Sequence, residues 1–157
     1  MEGSTGTDRV IISGTATGIA VDLAIAGDQA TGAGTIRLAG IEDLWTGAQD
    51  DTLFGSSGAN ELRGQGGNDR LFGREGHDRL YGGDGNDTLD GGAGNDSLYG
   101  EGGVDTAHYG NASGAVSVSL AAVGAQNTGG AGVDLLSGIT HLAGSVFAVT
   151  LTGNAAR

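Results

Sequence analysis

The chain has 157 residues, with 34 glycines, no proline, no cysteine, and a formal net charge of −12 from 19 acidic and 7 basic side chains. The lack of cysteine excludes disulfides and thiolate metal sites, the lack of proline and of a three-residue glycine period excludes collagen and proline-rich linkers, and the acidity excludes nucleic acid in favour of a bound cation. No apolar run approaches the roughly 18 residues of a membrane span, and no signal peptide follows Met1, so export would need another signal unless the sequence is a piece of a longer protein.

In chain order, the first predicted element is the alternating run Ile19-Ala20-Val21-Asp22-Leu23, which reads as a strand with one buried face. A polar turn, GDQATGAG, follows, and the chain returns through Leu38-Ala39-Gly40-Ile41. Residues 8–45 are expected to form an N-terminal flanking and capping unit. Residues 46–108 then fall into seven nine-residue units: TGAQDDTLF, GSSGANELR, GQGGNDRLF, GREGHDRLY, GGDGNDTLD, GGAGNDSLY and GEGGVDTAH. Position six reads Asp51, Asn60, Asp69, Asp78, Asp87, Asp96 and Asp105, and position eight reads Leu53, Leu62, Leu71, Leu80, Leu89, Leu98 and Ala107. Positions seven to nine predict a short strand with its middle residue inward; the first six residues make a turn.

Beyond the array, residues 109–157 are expected to be a C-terminal flanking and capping unit. Asp8, Val21, Leu23, Gln29 and Thr31 recur as Asp105, Val118, Leu120, Gln126 and Thr128 at an offset of 97, and Leu38, Ile41, Leu44 and Leu53 recur as Leu136, Ile139, Leu142 and Leu151 at 98. This internal duplication replaces Asp51 by Val149, so cation binding is expected to fade before the C-terminus. The apolar segment AGSVFAVTLTG is expected to seal the end by packing. The three segments together are expected to make one domain, residues 1–157.

The array should not fold on leucine burial alone. One buried leucine is worth roughly 1.5–3 kcal/mol, against ordering nine residues at about 1–2 kcal/mol each. The glycines at positions one, two and four, among them Gly64, Gly67, Gly73, Gly76, Gly82, Gly83, Gly85, Gly91, Gly92 and Gly94, permit turn dihedrals closed to other residues and leave carbonyl oxygens unobstructed. With the position-six carboxylates they offer the oxygen ligands a hard cation such as calcium prefers. If two units make one coil, ligands stack 18 residues apart: Asp51, Asp69, Asp87 and Asp105 along one edge, and Asn60, Asp78 and Asp96 along the other, with Glu42 beside Asn60. About four strong calcium sites and one or two weaker ones are expected. Four divalent ions would reduce the formal charge from −12 to about −4. Without them the aspartates of neighbouring coils repel one another, so the metal-free array should be expanded, with folding and metal binding one thermodynamic event.

The units Gly82-Gly83-Asp84-Gly85-Asn86-Asp87-Thr88-Leu89-Asp90 and Gly91-Gly92-Ala93-Gly94-Asn95-Asp96-Ser97-Leu98-Tyr99 spell G-G-x-G-x-D-x-U-x and resemble the RTX (repeats-in-toxin) nonapeptide of secreted bacterial proteins. The resemblance implies an all-β fold: a parallel β-roll solenoid with calcium in its glycine-rich turns and wider β-coils as caps. It also implies an extracellular or bacterial cell-surface location, with type I secretion of a parent protein. No export signal is evident in Val146 to Arg157.

Other features carry weaker readings. Acidic low-complexity disorder is opposed by the exact period, and an EF-hand would need a 12-residue loop between helices. Position nine should stack Phe54 on Phe72 and Tyr81 on Tyr99 with Trp45 beyond, as a structural ladder or as a face for a glycan or neighbouring domain. Arg70 and Arg79 are expected to pair with Glu61, Glu75 or Asp90. His77, His108 and His141 do not form a zinc set, and no nucleophile, base and pocket come together, so no catalytic residue and no enzyme activity are expected. The leading reading is a calcium-binding module that folds outside the cell and supports secretion and stability of a parent protein. The alternative is a calcium-rigidified glycan-binding or surface-assembly module of an adhesin, surface-layer protein or polysaccharide-modifying enzyme.

Overall fold

The computed structural model describes residues 5–144, 147 and 149–153, and all regular structure among them is β. The N-terminal unit forms β1 (Arg9–Ile11), β2 (Ala20–Asp22), β3 (Asp28–Ala30), β4 (Thr35–Arg37) and β5 (Asp43–Trp45). The array forms β6 (Thr52–Phe54), β7 (Glu61–Gly66), β8 (Arg70–Phe72), β9 (Glu75–Gly76), β10 (Arg79–Gly85), β11 (Thr88–Asp90), β12 (Ala93–Gly94), β13 (Ser97–Gly103) and β14 (Asp105–His108). The C-terminal unit adds β15 (Val116–Ser119), β16 (Gln126–Gly129), β17 (Gly132–Ser137), β18 (Ile139–Ala143) and β19 (Val149–Thr152).

Alternate nonapeptides join alternate sheets. One carries β1-β5-β7-β10-β13-β17 in order and the other β18-β14-β11-β8-β6-β2. Within the array every neighbouring pair is parallel with an 18-residue register, as in Leu62↔Leu80↔Leu98 and Leu53↔Leu71↔Leu89. The position-eight residues point between the sheets: Leu44, Leu53, Leu62, Leu71, Leu80, Leu89, Leu98 and Ala107 all have 0% exposure. Strands β7, β10 and β13 run longer than three residues, into the turn that follows. The turns also stack in register, with Gly83 opposite Gln65 and Glu101.

The flanking units are structural copies. Parallel pairs β1–β5 and β2–β6 recur as β14–β18 and β15–β19, and the antiparallel hairpin β3–β4 recurs as β16–β17. Side chains repeat too. Asp22 N–H donates to Gln29 Oε1 and Gln29 Nε2 donates to the Asp22 carbonyl, at 2.8 and 2.7 Å, and Ser119 with Gln126 makes the same pair at 2.7 and 3.0 Å.

The expected seal at the C-terminal end is a correction. Phe147 is 49% and Leu151 38% exposed, and Leu120, Leu136, Leu142 and Val149 are only partly buried. By contrast Leu23 and Leu38, the first-copy counterparts of Leu120 and Leu136, are buried, whereas Val116, Val118 and Ile139 are buried in the second copy as Ile19, Val21 and Ile41 are in the first. Residues 145, 146, 148 and 154–157, part of the segment considered for an export signal, lie outside the described residues.

Candidate metal centres

Along each edge the position-six side chains form a hydrogen-bonded ladder. Asp51 N–H donates to Asp69 Oδ1 (2.7 Å), Asp69 N–H to Asp87 Oδ1 (2.8 Å) and Asp87 N–H to Asp105 Oδ1 (2.9 Å). On the other edge Asn60 N–H donates to Asp78 Oδ1 (2.7 Å) and Asp78 N–H to Asp96 Oδ1 (2.9 Å). One carboxylate oxygen is thus spent on holding the preceding coil in register. The other, Oδ2 of Asp69, Asp78, Asp87, Asp96 and Asp105, is buried with no hydrogen-bond partner. A buried polar atom left this way costs roughly 1–3 kcal/mol, more when charged.

Each orphaned oxygen faces the position-one glycine of its own unit: Gly64, Gly73, Gly82, Gly91 or Gly100. At Gly64, Gly73, Gly82 and Gly100 the space a Cβ would occupy is also bounded by a carbonyl of the next coil, Gly82 O at 2.8 Å from that point at Gly64 and Gly100 O at 2.8 Å at Gly82. These glycines have ordinary φ, so room rather than dihedral freedom dictates them. Position four is different: Gly85 has φ +139°, and its Cβ would collide with the Gly67 carbonyl. Gly67, Gly76 and Gly94 repeat this. From the third unit to the seventh, position two takes positive φ, with Gln65 (φ 75°), Arg74 (81°) and Glu101 (70°) replacing the glycines found at Gly83 and Gly92.

The electrostatics agree. Burial pushes the carboxyls of Asp69 and Asp78 up to about 7 and that of Asp87 up to about 6, and it raises Asp96; the N–H bond from the preceding coil opposes this. Neighbouring ladder charges add to the rise, Asp87 and Asp51 on Asp69, and Asp96 on Asp78. The centres at Asp69, Asp78, Asp87 and Asp96 therefore offer a dry carboxylate oxygen whose charge burial disfavours, with a backbone carbonyl close by at the first three, a donor set suited to a hard divalent cation. Among the described residues no three His, Asp or Glu side chains converge on a metal, and the centres do not require it.

The expected ligands do not all look alike. Asp51 Oδ2 accepts from Gly47 N–H at 3.4 Å, and position one of its unit is Thr46, fully buried, whose hydroxyl donates to the Gly64 and Arg63 carbonyls at 3.2 Å. Thr46 thus fills the space left open by the glycines elsewhere. Asn60 Oδ1 accepts from Ser56 N–H at 2.7 Å, and its amide donates to the Glu42 carbonyl at 2.9 Å. The Glu42 carboxylate accepts from Asp8 N–H at 2.8 Å through one oxygen, so Glu42 is a rung of the same ladder.

Sequence reading missed Asp134. Asp96 N–H donates to Asp134 Oδ1 at 3.1 Å, and Ser97, Leu98 and Tyr99 pair with Leu135, Leu136 and Ser137. Residues 129–137 read GGAGVDLLS, an eighth nonapeptide that follows a long insertion, and this motif was the available signal. The ladder therefore continues past the point where carboxylates were expected to end. It closes differently, because Asp134 Oδ2 accepts from the Thr128 hydroxyl at 3.0 Å. A second ladder, also unforeseen, uses position five: Asp50 accepts from Asn68 N–H, Asn68 from Asn86 N–H and His77 Nδ1 from Asn95 N–H, at 2.7, 2.9 and 2.9 Å.

The other side chains sort by contact. Phe54 and Phe72 stack at 4.9 Å between centroids and Tyr81 and Tyr99 at 4.7 Å, while the Arg9 and Arg63 guanidinium groups sandwich Trp45 at 4.0 and 4.6 Å. Ring faces are spent on one another, and Arg63 over Tyr81 at 4.0 Å and Arg74 over Phe54 at 5.3 Å cover one end of each stack. The expected pairing of Arg70 and Arg79 is corrected: both are exposed, and the ion pairs form at Arg9–Asp43, Arg63–Glu61 and Arg74–Asp22 instead. Arg63 and Glu61 reach each other because they flank one strand position on the same outer face, and Arg74 reaches Asp22 from its left-handed turn. His108 pairs with Asp90, and His141 lies beside Thr140.

Comparison with known families finds a model described as the RTX calcium-binding nonapeptide repeat (4 copies), matching residues 45–80 and 72–107. No curated protein and no solved structure matches the chain. The repeat is a structural, calcium-binding unit and not a catalytic one. With its glycine turns, inward leucines and position-six carboxylates, the stretch from residue 45 to residue 107 matches the RTX calcium-binding nonapeptide-repeat family.

Proposed function

We propose that the chain is a single calcium-bound parallel β-roll, residues 1–157, with the units 8–45 and 109–157 as its wider end coils. It holds five calcium ions, one at each of Asp69, Asp78, Asp87, Asp96 and Asp105. The observation that carries this is the set of five buried, unpartnered Oδ2 atoms, each beside a position-one glycine, with a carbonyl oxygen bordering the gap at Gly64, Gly73, Gly82 and Gly100. When bound, calcium supplies positive charge and oxygen coordination there. The chain's own residues do the rest: Oδ1 fixes the register, the position-one glycine keeps the space open, and the leucine column excludes water. Asp51 and Asn60, whose oxygens are already engaged, are weak or silent.

Five ions would bring the formal charge of −12 to about −2. In low calcium the repelling carboxylates keep the chain extended; in millimolar calcium, neutralisation and coil formation occur together. That switch suits a module of a secreted parent protein, exported unfolded through a type I apparatus and ordered outside the cell or at the bacterial surface. The stacked rings favour structure over a glycan platform, since their faces are not open. Calcium titration by calorimetry and far-UV circular dichroism, with magnesium as the control, should show about five ions bound as strand signal appears cooperatively. A chain equally ordered after exhaustive chelation would refute the reading.

A further inference from the structure

The outer face of the sheet that carries β8 and β11 bears a short symmetrical row. In register across β2, β6, β8 and β11 stand Asp22, Phe54, Phe72 and Asp90: a carboxylate, two stacked rings and a second carboxylate. The two ends differ in one respect. At the first, the Arg74 guanidinium lies 5.3 Å from the Phe54 ring centre and forks onto Asp22 at 2.8 and 2.6 Å, so a cation is held by a ring face and a carboxylate together.

At the second end Asp90 has no such partner. Its Oδ2 accepts from Asn111 Nδ2 at 2.8 Å and lies 3.1 Å from His108 Nδ1, while Oδ1 has no partner among the described residues. The Asp90 side chain is nonetheless only 5% exposed. A carboxylate this dry with one oxygen idle is costly unless something donates to it. There is room for a donor, because Phe72, Asp90, Glu75 and Asn111 bound a cavity of about 330 Å³, within the range of small-ligand pockets. Exposed Glu75 and Asn111 stand at its mouth. Phe54 covers one face of Phe72, and the other, turned toward β11, borders this cavity.

Elsewhere the chain fills such a place with its own arginine. Arg63 lies 4.0 Å from the Tyr81 ring centre and bonds Glu61 at 2.9 Å, and Arg9 lies 4.0 Å from the Trp45 ring and bonds Asp43 at 2.8 Å. With Arg74 these make three sets of ring, guanidinium and carboxylate. Phe72 and Asp90 are the outer members of a fourth set whose middle member is missing. Arg74 borders the cavity too, but its terminal nitrogens are engaged by Asp22 and the Gly55 carbonyl.

We propose that this cavity binds a guanidinium group supplied from outside the chain, stacked on Phe72 and donating to Asp90 Oδ1, with Glu75 as a second counter-charge. A guanidinium suits it better than an ammonium, because a flat cation can lie on the ring while its edge bonds the carboxylate. The site goes beyond the calcium reading, which has only to keep the array folded.

The test is an NMR titration of the full chain in saturating calcium. Ethylguanidinium serves as the free form of the group and acetyl-Gly-Arg-Gly-amide as its polypeptide form. Both should shift the amides of residues 72–75, 90–93 and 111, and the tighter of the two identifies the source. Phe72→Leu should weaken binding about two- to fivefold, the range of a cation–π contact. Asp90→Asn, which keeps an oxygen for Asn111, should weaken it about tenfold or more. Asp84→Asn, at an exposed acid outside the cavity, should leave it unchanged. Circular dichroism of each variant reads loss of fold separately from loss of the site. Absence of localised shifts with both probes, equal binding of butylammonium, or folded Phe72→Leu and Asp90→Asn chains that bind as the parent does overturns the proposal. A chain that is ordered without calcium yet shifted by the probes would keep this site while losing the calcium reading.

Discussion

Replacing Gly82 by alanine isolates the role of the open space at position one. The added methyl would sit beside Asp87 Oδ2 and 2.8 Å from the Gly100 carbonyl, where the cation is assigned, and both neighbours are held by the ladder and the sheet. In calcium at about 100 times its Kd, losing one ion removes roughly 2.7 kcal/mol of linked stabilisation. For a chain of this size that lowers Tm by roughly 5–11 °C. Gly66→Ala is the matched control: position three has ordinary φ, and its Cβ would meet Ala48 Cα at 3.6 Å, a normal contact. There the substitution should be neutral or stabilising by about 0.4–1 kcal/mol through the unfolded chain. Thermal melts by circular dichroism in saturating calcium, with ion counts by calorimetry, should separate the two. If Gly82→Ala keeps its full calcium count, or both variants lose equal stability, the placement of the cation beside position one is wrong.

Thr46→Gly should do the reverse of Gly82→Ala, opening the blocked turn beside Asp51 and raising the calorimetric count by one. Asp87→Ala should lose calcium and leave the buried Asp69 N–H without its acceptor, costing about 1–3 kcal/mol beyond the lost ion; Asn60→Ala should retain the full count, and equal losses from the two would contradict the ligand assignment. Acid should substitute in part for calcium. The folded carboxyls of Asp69 and Asp78 near 7 and of Asp87 and Asp134 near 6 lie above the unfolded value of about 3.9, so the metal-free fold is most stable below pH 4 and loses that stability as pH rises through 6 to 7. In chelator, strand signal by circular dichroism should therefore grow as pH falls from 8 to 4.5, and a flat or opposite profile would refute this.

Much of the architecture was written in the period. Nine-residue spacing put Leu53, Leu71 and Leu89 on one sheet and Leu62, Leu80 and Leu98 on the other, because a coil of two units returns each position above itself after 18 residues. The flanking duplication was legible for the same reason: Gln29 and Gln126 recur because each brackets the same bend. Periodicity could not show what fills a space of a few ångströms. Thr46 looked like a conservative start to a repeat, yet its hydroxyl and methyl close a turn that glycine would leave open. Asp134 was hidden by the insertion of a hairpin, since stacking follows space and not chain distance. Arg63 and Arg74 took the ion pairs expected of Arg70 and Arg79 because side-chain direction, left-handed in the case of Arg74, is set by backbone dihedrals that spacing does not encode.

The position-six ladder has a direction. Its acceptors are side chains, which substitution can delete, while its donors are main-chain groups, which substitution almost never touches. Deleting the carboxylate of Asp87 strands a donor in the coil before it, at Asp69, while the coil after it is untouched, because the main-chain N–H of residue 87 still donates to Asp105. The stranded donor is buried and cannot turn to water. Harm from any single lesion in this row should accordingly travel toward the amino end of the chain, making the roll a one-way structure whose early coils live on credit from the later ones.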